Sequence, residues 1–247
     1  MNRIFNEIEA GCQPARAMDA SAVERNFRLT GNALALRVVP SLDAVVVTKS
    51  CAGFDEATVA DLSRLLAIVG QRGLARVRYL VYDFAHGATA AMSAPAEGFE
   101  EAMSLSSRLI RDVPVITVAW ARSHMAGADL DWALYCSMLV AEQGARFSFD
   151  GDPSALFALY AALARRIGLV RTERLIENGD VLDAAAMRDL RLVKDVVEPD
   201  GEGDGVEAYL AQQDRRYNAA WAIYRAQSIA MAPSAQKPEN MVFAHLM

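Results

Sequence analysis

The chain is poor in the residues that build metal centres and disulfide frameworks. Its 247 residues include 3 Cys and 3 His. Cys12, Cys51 and Cys136 lie far apart, are odd in number and contain no C-x-x-C pair. His86, His124 and His245 share neither H-x-H nor H-x-x-x-H spacing. Neither a disulfide scaffold nor a His-rich metal site is expected, and the thiols suit a reducing compartment. Basic residues are outnumbered, with 25 Lys and Arg against 31 Asp and Glu and a net charge of −6. With no basic cluster, nucleic acid is not an expected partner, although a local basic pocket for a small phosphorylated ligand stays open. Long apolar runs are missing too. The best ones, Val113 to Ala121 and Ala155 to Ala164, fall well short of the ~20 residues that cross a bilayer. Ala10-Gly11-Cys12 looks like the end of a lipoprotein signal, but Asn6-Glu7-Ile8-Glu9 before it is polar where an apolar core is required. The expectation is a cytoplasmic protein with no membrane partner.

What is present is ordinary for a globular protein: 53% apolar and 23% charged residues, enough for one large core plus an appendage. Residues 1–32 lack a clean period and read as a leader. Ala33 to Val39 and Ala44 to Thr48, separated by Pro40-Ser41-Leu42-Asp43, read as a hairpin. Val59, Leu62, Leu65, Leu66 and Val69 mark one helix face, and Gly70 and Gly73 stop it. Val77 to Tyr82 reads as a buried strand, followed by a small-residue loop over Asp83 to Gly98. A helix carries Phe99, Met103 and Ile110, and Val115 to Ala121 is the apolar run of a strand covered on both faces. This alternation is the rhythm of an α/β protein with crossovers. Gly127 to Ser137 reads as a turn into a short helix. Met138 to Ala141 and Ala145 to Phe149 read as strands. From Ser154 the chain reads as mainly helical, with Leu192 to Val197 as a last strand. A glycine-rich linker starts at Pro199, and a helical piece over 206–232 and a tail complete the 199–247 region.

Two segments resemble the crotonase (enoyl-CoA hydratase/isomerase) superfamily, and the likeness spans roughly residues 33–198. The first runs from Pro114-Val-Ile-Thr-Val-Ala-Trp120 through Gly127-Ala-Asp-Leu-Asp131 and Cys136-Ser137 to Ala145-Arg-Phe147. It is similar to the family's strand, glycine-rich turn, short helix ending in Cys-Asp, and Ala-x-Phe strand. The second is Leu175-Ile-Glu-Asn-Gly179 to Ala184, continuing to Leu192-Val-Lys-Asp-Val-Val197, with Arg191 where a glycine is usual. Ser154 to Arg166 and Asp214 to Tyr224 resemble the diffusible-signal-factor synthase branch. The resemblance implies a crotonase-like ββα-repeat spiral with a C-terminal helical region. It also implies a homo-oligomer, trimer or hexamer, and no cofactor beyond coenzyme A as part of the substrate.

Crotonase-like enzymes hold the thioester oxygen of an acyl-CoA or acyl-carrier-protein substrate between two backbone N–H groups, an oxyanion hole of the kind that contributes most in such sites. By position these donors are Phe84 and Ala128. The family's glycine turn reads Gly127-Ala128-Asp129 here, and a carboxylate in that turn is hard to reconcile with a developing negative charge. The first loop reads Tyr82-Asp83-Phe84-Ala85-His86-Gly87 where the family has F-x-x-G-x-D, so Ala85 replaces the glycine and Gly87 the aspartate. Of the two family glutamates, one corresponds to Asp131, shorter by a methylene, and misplacement on the order of 1 Å can cost ~10²-fold. The other corresponds to Gly151, with Asp150 and Asp152 beside it; a missing acid/base group costs typically ~10²–10⁴-fold.

Plainer readings stand beside these. Asp131 is a proton-transfer candidate or a first-turn helix acid. Asp129, two positions away, does not share its helix face. Asp150 is a catalytic candidate in good turn chemistry, Phe149-Asp-Gly-Asp-Pro153. His124 and His86 read as structural, Cys136 as a small buried hydrophobe, Trp132 and Tyr135 as packing, and Arg122 and Lys194 as solvated charge. Two functions follow. One is an acyl-thioester enzyme whose reaction is hydration, isomerisation or thioester hydrolysis. The other is a catalytically silent homologue that binds a ligand or serves as an assembly subunit.

Overall fold

A computed structural model describes residues 34–49, 56–70, 77–85, 99–113, 115–149, 163–199 and 205–213. The leader, most of the 206–232 piece and the tail lie outside these. β1 (Leu34–Val39) and β2 (Ala44–Lys49) form the expected antiparallel hairpin, turned by a short 3₁₀ segment at Pro40–Leu42. Then follow α1 (Glu56–Gly70), β3 (Tyr79–Phe84), α2 (Phe99–Asp112), β4 (Ile116–Ala121), β5 (His124–Met125) and α3 (Gly127–Tyr135). Beyond them lie β6 (Met138–Glu142), β7 (Arg146–Ser148), α4 (Leu169–Asn178), β8 (Val181–Asp183), α5 (Ala184–Asp189), β9 (Asp195–Val197) and α6 (Gly205–Gln213).

A 6-stranded sheet takes the order β1-β2-β3-β4-β6-β9, parallel from β2 onward, and a 3-stranded sheet takes the order β5-β7-β8. The small sheet uses the second strands of the β4-β5-α3 and β6-β7 units, which pair in parallel. This is the expected ββα arrangement. All 6 residues of β4 are buried, because helices cover one face while the other carries its own apolar side chains. One face presents Val45, Val47, Leu80, Tyr82, Phe84, Ala119 and Ala121 to a single core that also takes the apolar face of α1. Helices α1 and α2 meet through Ser63 and Ser106, whose Oγ atoms lie 2.5 Å apart. Each serine Oγ also lies 2.8 Å from the carbonyl four residues back, so each of the two hydroxyl protons has an acceptor within reach inside the interface.

Helix α3 is buried almost all round, from Ala128 to Leu134. Its far end is closed by Arg166, whose Nη2 donates to the carbonyls of Leu134 at 2.7 Å and Cys136 at 3.2 Å. A guanidinium there satisfies orphan carbonyls and complements the negative end of the helix. The chain returns to the sheet through Thr117 and Ser137, whose side chains bond each other and each other's backbone N–H.

The sequence reading overstates some elements and misses others. β8 over Val181–Asp183 adds a strand to the mainly helical region after Ser154, and Asp183 caps α5 by accepting from the Ala186 N–H at 2.8 Å. The last strand is confined to Asp195–Val197, with Leu192 and Val193 buried ahead of it in irregular backbone. Contacts divide the chain into two compact units between Ala208 and Tyr209; the first holds β1 to β9, and of the second, residues 209–213 are described, all helical.

Arg191 explains why glycine is usual at its position. Its φ is 60°, a left-handed conformation that costs any residue with a Cβ. Its N–H is spent on the Arg188 carbonyl at 2.8 Å, so the turn after α5 fixes that backbone whatever the side chain. Arg191→Gly is therefore expected to stabilise the protein by about 0.5–1 kcal/mol, read as a higher urea midpoint at unchanged slope. An unchanged or lowered midpoint would assign the arginine side chain a stabilising contact.

Candidate functional site

The carboxyl ends of the parallel strands set the site. Lys49 ends β2 on the same parity as the inward-facing Val45 and Val47, and Phe84 ends β3, buried. After β4 the chain passes through β5 and enters α3 at Gly127, whose φ of 53° is the left-handed conformation glycine accepts freely. Lys49 Nζ then donates to Asp129 Oδ1 at 2.6 Å across 80 positions of sequence. The first turn of α3 is thus tied to the end of β2 while the chain feeds it from β4. Between those strands lies β3, ending in Phe84.

The start of α3 has no side-chain cap among the described residues, and Ala126 precedes Gly127 in extended backbone. A helix start carries unpaired N–H groups and about half a positive charge, which favours an anionic oxygen. Ala128, the second residue of the helix, is buried.

Two acids on this helix differ in their surroundings although both are 3% exposed. Asp129 is paired with Lys49; burial raises its pKa and the adjacent ammonium opposes the rise. Asp131 has no such partner. Its Oδ1 is buried without a hydrogen bond among the described residues, and burial pushes its pKa up to about 8. Asp131 is therefore mostly protonated at neutral pH, a carboxyl that can donate. Asp129 bears on the concern about a carboxylate in the glycine turn, because its charge is balanced by Lys49. The sequence reading missed Lys49, although a lysine on the inward parity of an apolar strand was a visible signal.

Behind the helix, Tyr82 and Trp132 stack edge to face, with centroids 5.4 Å apart and planes at 84°, which fits packing for Trp132. Burial pushes the Tyr82 hydroxyl and the Cys136 thiol well above their ordinary pKa values, and Cys136 is buried as expected. His124 Nε2 lies 2.6 Å from Ser148 Oγ, a structural link between β5 and β7. Arg122 corrects its reading as solvated charge. Its Nε lies between Asp83 Oδ1 at 3.3 Å and Glu142 Oε1 at 3.4 Å, and Trp120 Nε1 donates to the same Glu142 oxygen at 3.2 Å. Lys194 is exposed, with its amine 3.6 Å from Met138 Sδ. Asp150, Gly151, Asp152 and His86 lie outside the described residues. The structure thus puts Ala128, Asp129 and Asp131 on α3, ties Asp129 to Lys49 at the end of β2, and ends the intervening strand β3 at Phe84. Among the described residues no group of acids, histidines and cysteines is placed to hold a metal ion, and no helix is long and apolar enough to cross a membrane.

No family model matches the chain, and no curated protein matches its sequence. Solved structures match it in shape. An enoyl-CoA hydratase/isomerase from Marinobacter aquaeolei superposes with a TM-score of 0.63 at 17% identity, over 80% of this chain and 82% of its own. An enoyl-CoA hydratase of Mycobacterium smegmatis gives 0.62 at 20% identity, over 83% of this chain and 93% of its own. A monofunctional enoyl-CoA isomerase of M. smegmatis gives 0.64 at 20% identity, over 80% of this chain and 90% of its own. Identities this low speak for shape alone. By shape, the chain has the fold of the enoyl-CoA hydratase/isomerase (crotonase) proteins.

Proposed function

We propose that the protein binds an acyl-CoA thioester, with the thioester oxygen received by the N–H groups of Phe84 and Ala128 and with Asp131 transferring a proton at the reacting carbons. One observation carries this reading: the Asp131 carboxyl, buried on α3 with an Oδ1 that bonds nothing among the described residues. Burying a polar atom without a partner costs stability, and such costs concentrate at working sites. A protonated carboxyl near neutral pH is a general acid, as wanted next to an enolate held by main-chain amides. The uncapped helix start and the placement of Phe84 between β2 and β4 support the same geometry. So does the likeness in fold to proteins named as hydratases and isomerases of enoyl-CoA. The reaction is hydration, isomerisation or thioester hydrolysis, on a coenzyme A or acyl-carrier-protein thioester.

A second reading, a silent homologue that binds a ligand or assembles with an active partner, is favoured by Asp129, which brings an acid into the turn that would face the oxyanion.

Thermal shift and turnover with short, medium and long acyl-CoA substrates separate the two. Ligand at about 100 times its Kd adds ~2.7 kcal/mol of native stability. An enzyme turns over at least one substrate, and Asp131→Asn lowers its kcat by about 10²-fold or more with little change in binding. The wild-type rate should fall as pH rises through about 8, where Asp131 loses its proton. Binding without turnover establishes the silent reading, and no stabilisation by any thioester rejects both.

Asp131→Asn also has a stability signature. The native state keeps a proton that the unfolded chain releases near the ordinary aspartate value of 3.8, so native stability falls as pH rises from there to about 8. The slope in that window is about 1.4 kcal/mol per pH unit. Urea denaturation at about pH 5 and about pH 7 should show wild type losing on the order of 2–3 kcal/mol more than Asp131→Asn. Equal losses would mean that Asp131 ionises normally in the folded protein.

A further inference from the structure

The Lys49–Asp129 pair is an odd thing to bury. Taking two charges out of water costs more than a hydrophobic pair of similar size, and a first-turn acid needs no lysine, because the helix start already favours it. Both side chains are nevertheless buried, 7% and 4% exposed, and meet at 2.6 Å, at the first turn of a helix with no side-chain cap among the described residues. A lone Asp129 kept ionised by its place in the first helical turn would carry about twice the opposite charge of the helix terminus and turn that corner negative. With the Lys49 ammonium in contact, carboxylate and ammonium cancel, and the half-charge of the terminus is left for a ligand.

Resting on the acyl-thioester reading, we propose that Lys49 is a positioning residue that keeps the Gly127–Asp129 turn receptive to a thioester oxyanion by neutralising Asp129. Lys49 touches no substrate; it acts through Asp129, and the ligand class it admits is one that builds negative charge on a carbonyl oxygen, an acyl-thioester enolate or tetrahedral adduct.

The two halves of the pair then have opposite effects, which a purely structural ion pair does not produce. Calorimetry with saturated acyl-CoA and with acetoacetyl-CoA, whose enolate puts a full charge on the oxygen, reads this. Lys49→Gln keeps a hydrogen-bond donor and removes the charge; it should weaken acetoacetyl-CoA binding by at least about tenfold, and more than it weakens the saturated compound. Asp129→Asn should bind acetoacetyl-CoA as tightly as wild type or tighter, and the double variant should recover to within about threefold. Weaker binding in Asp129→Asn, or undiminished binding in Lys49→Gln, overturns the proposal while leaving the acyl-thioester reading intact. If Lys49→Gln does not fold, Asp129→Asn and the double variant still decide: binding kept in both supports the proposal, and loss in either overturns it. Wild-type protein that binds neither compound rejects the acyl-thioester reading and this inference with it.

Discussion

One contact at the end of the sheet organises the functional corner. Lys49 closes β2, Asp129 opens α3, and 2.6 Å separates them. Because the chain reaches α3 from β4, the contact pulls the helix start across the end of β3 rather than letting it hang beyond β4. The burial of α3 on nearly every side follows, and with it the isolation of Asp131 from water. Arg166 closes the opposite end of the same helix on the carbonyls of Leu134 and Cys136, so both termini are held by long-range cation contacts. A rigid helix pinned at both ends is what an array of backbone donors requires, since their value lies in not having to reorient.

The two acids show how neighbours two positions apart can be given different chemistry. A helix turns about 100° per residue, so Asp129 and Asp131 leave the axis in well-separated directions. One meets an ammonium and, among the described residues, the other meets none. Burial alone would favour the neutral form of both; the lysine favours the charged form of Asp129. Groups whose surroundings drive their protonation apart are how a fold assigns acid and counter-charge roles from the same residue type.

Much of this was legible in the sequence, and the rest was hidden for physical reasons. The hairpin, α1, β3 and β4 announce themselves because each is long enough to show a period or an apolar run, and the glycine turn into α3 fixes where the helix begins. β8 has 3 residues, too few for any period, and pairs along β7, while β9 is legible only as part of the longer run from Leu192 to Val197. Asp131 could be found by its place in a pattern, but its lack of a partner is a property of the packed interior. Lys49 joins the site across 80 positions, a distance that no local motif spans. Arg122 looks like a surface charge until two carboxylates from β3 and β6 close on it.

The order of strands in the large sheet is also their order in the chain, with β5, β7 and β8 set aside into the small sheet. Successive strands of the large sheet are therefore immediate neighbours, and each new strand pairs with the edge laid down by the one before it. The entropy of closing each loop is met one unit at a time. A length change in any single connection perturbs one strand pair and leaves the others in register. A scaffold of this kind can gain or lose loop residues around the strand ends while the strands themselves stay in place.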